Sequence, residues 1–406
     1  MRPPFTLLWG WLMSLPTKHT HTEVKFWRDP SKRALLFQLL LLSAVAVALW
    51  FIISNTLTNL ETRGITTGFG FLDDPAGFAI AQSLIPYSEV DSYGRTFVVG
   101  LLNTLLVSFL GIIGATILGF IIGIARLSPN WLIARLASAY VELFRNIPLL
   151  LQMFFWYFAE LRTLPSPRDS LNIGEAAFLN VRGLYLPEPL PGSGFYWVGI
   201  ALLIAIGCSF WLIRVNRRRQ EATGKRFPAG WIALGLVLLL PALTFLLLGA
   251  PLEWSYPELR GFNFRGGINV IPEFMALWLS LTIYTAAFIA EIVRSGIQAV
   301  AHGQTEAAHS LGIKNNLTLR LVVIPQAMRV IIPPLTSQFL NLTKNSSLAT
   351  AIGYPDLVSV FAGTTLNQTG QAIEVITITM LVYLVISLTV SFFMNWFNRH
   401  MALVER

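Results

Sequence analysis

Cysteine is almost missing from this chain of 406 residues. The single Cys208 excludes an internal disulfide and any CxxC metal site. Charge is scarce as well. Asp, Glu, Lys and Arg together make up 12% of the residues, about half the share of a soluble domain, against 54% hydrophobic residues. That balance excludes an ordinary soluble protein, and it excludes disorder, because so apolar a chain does not stay solvated. Phosphate-cradling loops are absent too. Thr223-Gly224-Lys225 carries Arg219 where GxxxxGK[ST] needs its first glycine. HExxH and GxSxG are also missing, and His302 and His309, seven apart, read as solvated side chains rather than a metal pair. No internal repeat is visible, which counts against inverted-repeat transporters.

What the chain has is long apolar runs. A helix crosses a bilayer with about 20 apolar residues. Residues 34–53, 97–125, 196–213, 230–249 and 375–398 qualify without a charge. Residues 137–159 qualify around Glu142 and Arg145, 272–290 behind Glu273, and 331–350 around Pro333, Pro334 and Lys344. The expected architecture is therefore an all-α integral membrane protein with about eight transmembrane helices. Gly119 and Gly123, in GxxxG spacing, are expected to pack against another helix. The external loop 160–195, rich in Pro and Gly, is expected to fold irregularly.

The net charge of +8 follows from topology. With the N-terminus inside, the inner segments carry 20 Lys and Arg and the outer segments 7. This is the positive-inside asymmetry, and it puts both termini on the cytoplasmic side. The first run is too long, and its flank too poor in small residues, for a cleaved signal peptide.

The inner segment 291–330 is long and polar. Its middle is expected to form a short helix. Gly303 precedes that helix, Glu306 lies in its first turn where the dipole suits an acid, and Gly312 closes it in a left-handed conformation. Ala307, Ala308 and Leu311 fall on one side. Glu306-Ala307-Ala308, three residues, Gly312, nine residues, Val322, one residue and Ile324-Pro325 resembles the EAA loop of ABC importer permeases. Val322 and Ile324 are mild departures from that pattern. The segments 141–150, 281–294 and 342–348 resemble permeases for polar amino acids, the histidine, glutamate/glutamine, arginine and opine branch.

The resemblance implies a MetI-like core of five helices in two parts, residues 97–159 and 270–398, with the coupling loop at 301–325. Outside it lie an N-terminal arm (1–33), an extra first helix (34–53), an outer loop (54–96), an insertion with two extra helices (160–269) and a tail (399–406). These additions resemble the longer permeases of general L-amino-acid or glutamate/glutamine/aspartate/asparagine importers. The implied function is a permease subunit in a bacterial inner membrane that translocates polar L-amino acids and has no catalysis of its own. Gly303, Glu306, Ala307, Ala308, Leu311, Gly312 and Pro325 would couple it to cytoplasmic ATPase subunits, a dimer, which hold the ATP and Mg; this chain would bind no cofactor. A second homologous permease and a periplasmic amino acid-binding protein complete the expected partners, with membrane lipid and without nucleic acid. The rival reading, an ion-coupled secondary transporter acting alone, predicts buried carboxylates in the uncharged spans and no such loop.

Ionisable groups in spans are functional candidates. Glu142 and Arg145 are three apart and are expected to pair, as are Glu291 and Arg294. In the seventh span, Gln338, Asn341, Lys344, Asn345 and Ser346 are too polar to face lipid, so a substrate path is expected there.

Overall fold

The computed structural model describes residues 30–62, 67–174, 176–224 and 227–401. The expected N-terminal arm lies almost wholly outside the described residues, as do the last five residues of the tail. The chain divides into two units, Met1–Thr67 and Gly68–Arg406. The first holds one described helix, α1 (Pro30–Thr62). Its large apolar side chains, from Leu35 to Leu57, are exposed on every side, the pattern of a span solvated by lipid.

In the second unit, α2 (Tyr93–Ala125) and α7 (Pro272–Gln298) form the central pair. They run parallel. Gly111 lies beside Leu281, Gly119 beside Ile289 and Gly123 beside Val293. The approach is close enough that a Cβ on Gly119 would sit 2.6 Å from that of Ile289, so the GxxxG glycines are packing positions. α10 (Ile324–Asn345) runs antiparallel to this pair, with Ile331 against Gly296 and Leu342 against Gly111. α12 (Ala372–Met401) packs on α10.

The parallel pairing of α2 and α7 requires an odd number of crossings between them. α5 (Phe195–Thr223) and α6 (Ala229–Leu247) supply two. The third is the expected span 137–159, but it is not one helix. α3 (Trp131–Asn146) stops at Ile147, whose backbone is extended because Pro148 disfavours the helical conformation before it. α4 (Leu149–Phe154) restarts and widens into a π-turn over Phe155–Glu160. The buried Gln152 donates its Nε2 to the carbonyls of Phe144 (3.0 Å) and Ile147 (2.9 Å), which the break leaves without helical partners. With this broken helix the sequence's eight crossings stand, seven of them long continuous helices among the described residues.

The loops expected on the outer side are more ordered than expected. β1 (Leu171–Ile173), β2 (Ala177–Asn180), β3 (Gly183–Leu186) and β8 (Ile268–Val270) make an antiparallel sheet in that order. β4 (Glu188–Pro191) pairs with β5 (Leu252–Ser255), so the α5–α6 hairpin leaves and returns through a two-stranded ribbon. β6 (Glu258–Arg260) and β7 (Asn263–Arg265) form a further hairpin. Phe264 stacks on Phe178 and Tyr185, which gives this cap its own small core. Pro and Gly residues sit at its turns and edges rather than dissolving it.

Candidate coupling and transport site

α8 (His302–Ser310) is the expected short helix. It begins earlier than expected. Gly303 lies within it rather than before it, and Glu306 lies beyond the first turn, where it pairs with His302 at 3.0 Å on the exposed surface. The i, i+4 pair replaces the helix-terminus role expected for Glu306. Gly312 closes the helix with φ +74°, as expected, and its amide donates to the carbonyl of His309. The expected common side of Ala307, Ala308 and Leu311 splits. Ala308 is buried against the following turns, while Gly303, Glu306, Ala307 and Leu311 form an exposed face. Leu311 is 80% exposed, a large apolar knob beside two small residues.

The chain re-enters helix at α9 (Asn315–Thr318), passes a π-turn over Leu319–Val323 and continues into α10. Pro325 follows directly on the π-turn, at the start of α10. The seventh span therefore starts sixteen residues before the expected 331. On α10, Ser337, Asn341 and Lys344 form an exposed polar stripe. Gln338 and Asn345 are half-buried beside it. Ser346 is buried, and its hydroxyl donates to the carbonyl of Thr343. Lys344 opens onto a cavity of about 460 Å³ that Ser347, Thr379 and Tyr383 also line.

The charges near the ends of α2, α3 and α7 are arranged differently from the expected pairs. Glu291 does bind Arg294, at 2.5 Å, but it also binds Arg126 at the end of α2. Arg126 lies at a span boundary, where the sequence shows only topology. Glu142 and Arg145 do not form an ion pair among the described residues. The guanidinium of Arg145 lies over the Phe288 ring instead, 5.1 Å from its centroid. Glu142, Arg145, Asn146, Arg126 and Glu291 line one cavity of about 440 Å³.

At the opposite end, a clasp that the sequence did not reveal ties segment 353–357 to α2. Asn103 Nδ2 donates to the carbonyl of Pro355 (2.9 Å), Thr104 Oγ1 accepts from the amide of Leu357 (3.0 Å), and Tyr354 donates to the carbonyl of Asn103 (3.2 Å). The buried Asp356 accepts from the amide of Ser359 at 2.8 Å and opens a π-turn segment, Val358–Thr365. Tyr157 donates to Glu273 (2.7 Å) and accepts from Arg162 (2.9 Å), so Glu273 fastens α7 to the broken helix. Apart from the local Asp356–Ser359 and Tyr157–Arg162 bonds, the partners are distant in the chain, so no local spacing announces the clasp.

The arrangement is that of a multi-helix membrane protein with a short, exposed helix between two of its spans and no phosphate loop in its sequence. A family model for the binding-protein-dependent transport system inner membrane component matches residues 223–403. The chain is 59% identical over 378 residues to a putative amino-acid ABC transporter permease protein, YhdX, of Escherichia coli K12, covering 93% of this chain and 96% of that relative. It is 53% identical to the general L-amino acid transport system permease protein AapQ of Rhizobium johnstonii, over 93% and 94% of the two chains. To the glutamate/glutamine/aspartate/asparagine transport system permease protein BztB of Rhodobacter capsulatus it is 45% identical, over 93% and 96%. A crystal structure of an amino acid ABC transporter with histidines is similar at 24% identity and a TM-score of 0.46, over 76% of this chain and 95% of that one. The chain belongs to the ABC transporter permease family, as an inner membrane component of binding-protein-dependent transport. It is a multi-pass membrane protein and a non-catalytic subunit.

Proposed function

We propose that this chain is the permease through which an ABC importer passes polar L-amino acids, coupled at α8 to a separate ATPase. The observation that carries this reading is the exposed face of Gly303, Glu306, Ala307 and Leu311, ended at Gly312. An 80% exposed leucine beside glycine and alanine is a knob on a close-approach surface, suited to a groove in another protein. ATP with Mg would be held and hydrolysed by ATPase subunits, and a binding protein would deliver the amino acid to the β-stranded side. The polar stripe on α10 supports a place for Gln338, Asn341, Lys344, Asn345 and Ser346 on the path. Such groups need water or protein rather than lipid, and a second permease across that face would supply it. The 20 to 7 distribution of Lys and Arg supports cytoplasmic termini and the division into a two-part core with an inserted hairpin. The test is substrate-stimulated ATPase activity of the reconstituted complex. Charge reversal by Glu306→Lys, with the chain still inserted, should abolish stimulation and uptake together. Wild-type stimulation with intact uptake would remove α8 from the coupling role.

A further inference from the structure

The α5–α6 hairpin lies outside the central bundle, and α5 packs chiefly on α6. Their seam is built of small residues, Ala201, Ala205 and Ser209 on α5 against Ala229 and Ala233 on α6, with the hydroxyl of Ser209 donating to the carbonyl of Ala233. A different face of α5 carries Phe210, Ile213, Arg214 and Arg217 at helical spacing, with Trp211 beside them. These five residues line a groove of about 350 Å³. Phe210 and Trp211 are 71% and 68% exposed. The stripe passes from aromatic to cationic within seven residues, about 10 Å of helix rise, which matches the step from acyl chain to phosphate in a lipid.

We propose that this groove is a binding site for an acidic phospholipid. The acyl chain lies along Phe210, Trp211 and Ile213, and the phosphate sits between Arg214 and Arg217. Two guanidinium forks one turn apart suit a phosphate, which accepts bidentate hydrogen bonds. Arg217 bonds Glu221 at 3.3 Å, but both side chains are largely exposed, so that pair is weak and yields to a phosphate. Arg214, Arg217, Arg218 and Arg219 face a single acid, Glu221, between 214 and 224. A zwitterionic headgroup brings its own cation into this field; an anionic one does not. The inference needs only that α5 crosses the bilayer, and it stands apart from the coupling role of α8.

The test is native mass spectrometry of the purified full chain in detergent. Phosphatidylglycerol is titrated against phosphatidylcholine with the same acyl chains, with inorganic phosphate as a further arm. The wild type should retain phosphatidylglycerol selectively, and inorganic phosphate, lacking the acyl chain, should not displace it. Arg214→Ala with Arg217→Ala should weaken retention about thirty-fold, the equivalent of two basic contacts at a lipid surface. Arg219→Ala with Lys314→Ala removes the same charge from the opposite face of α5 and from a separate segment, and should change retention little. An unchanged thermal unfolding midpoint in both double variants keeps the comparison clear of misfolding. Equal losses in the two double variants, or equal retention of the two lipids, would overturn the site. So would the absence of lipid together with release of a protein subunit from the purified complex by the Arg214 and Arg217 changes, which would make the groove a protein interface.

Discussion

Two glycines illustrate how a single missing side chain carries unlike jobs. Gly312 has open space around it, so its importance is conformational. At φ +74° a valine there is strained by about 1–2 kcal/mol, and the end of α8 is re-aimed. Gly312→Val should leave the protein inserted and folded but abolish uptake into vesicles, while Gly312→Asn, which tolerates this backbone region, should keep most of it. Gly119 is the opposite case. Its backbone is ordinary helix, but an added Cβ collides with Ile289. Gly119→Val should destabilise the α2–α7 contact by about 1–3 kcal/mol, read as a lower thermal unfolding midpoint in detergent. Gly303 meets nothing within 4 Å, so Gly303→Ala should be neutral or stabilising in the same assay, and any loss of uptake would then report on the partner surface.

Among the elements, α10 and the clasp on α2 make separable demands. Asn341→Leu and Lys344→Leu remove polar groups from the exposed stripe of α10, where the chain itself needs nothing from them. They should cut uptake while leaving the ATPase subunits bound, as measured by pull-down alongside transport. Unchanged uptake in both would move the path elsewhere. The clasp is internal. Thr104→Val strands the buried amide of Leu357, a cost of about 1–3 kcal/mol, and should loosen segment 353–357. Faster hydrogen exchange confined to that segment is the expected readout.

For the whole molecule, the parity argument from α2 and α7 relates the ends of the spans between them, and the basic residues support the proposed orientation. Reporter fusions after Arg219 should read cytoplasmic and those near Pro189 external. An internal signal from Pro189 together with a cytoplasmic one after Arg219 would break the crossing order that the parallel α2–α7 pair demands.

Composition and spacing determined much of this protein by themselves. Apolar runs long enough for a bilayer gave the spans, because hydrocarbon requires every backbone bond to close within a helix. The residues around Glu306 gave the short helix α8, and Gly312 took the left-handed conformation that its place at a helix end implied. The tertiary structure decided what depends on distant partners. Arg145 turned from Glu142 to Phe288, because a ring on α7 came within reach of its guanidinium. Glu291 acquired Arg126, because parallel packing set the ends of α2 and α7 side by side. Asn103 and Thr104 looked like ordinary polar residues in a span until segment 353–357 folded against them. The Pro-rich loop became strands, because residues 171–186 pair with one another and 184–191 then found partners between 252 and 270, across the whole α5–α6 excursion. Local chemistry is written at fixed offsets along the chain; pairings across such separations exist only once packing has chosen the neighbours.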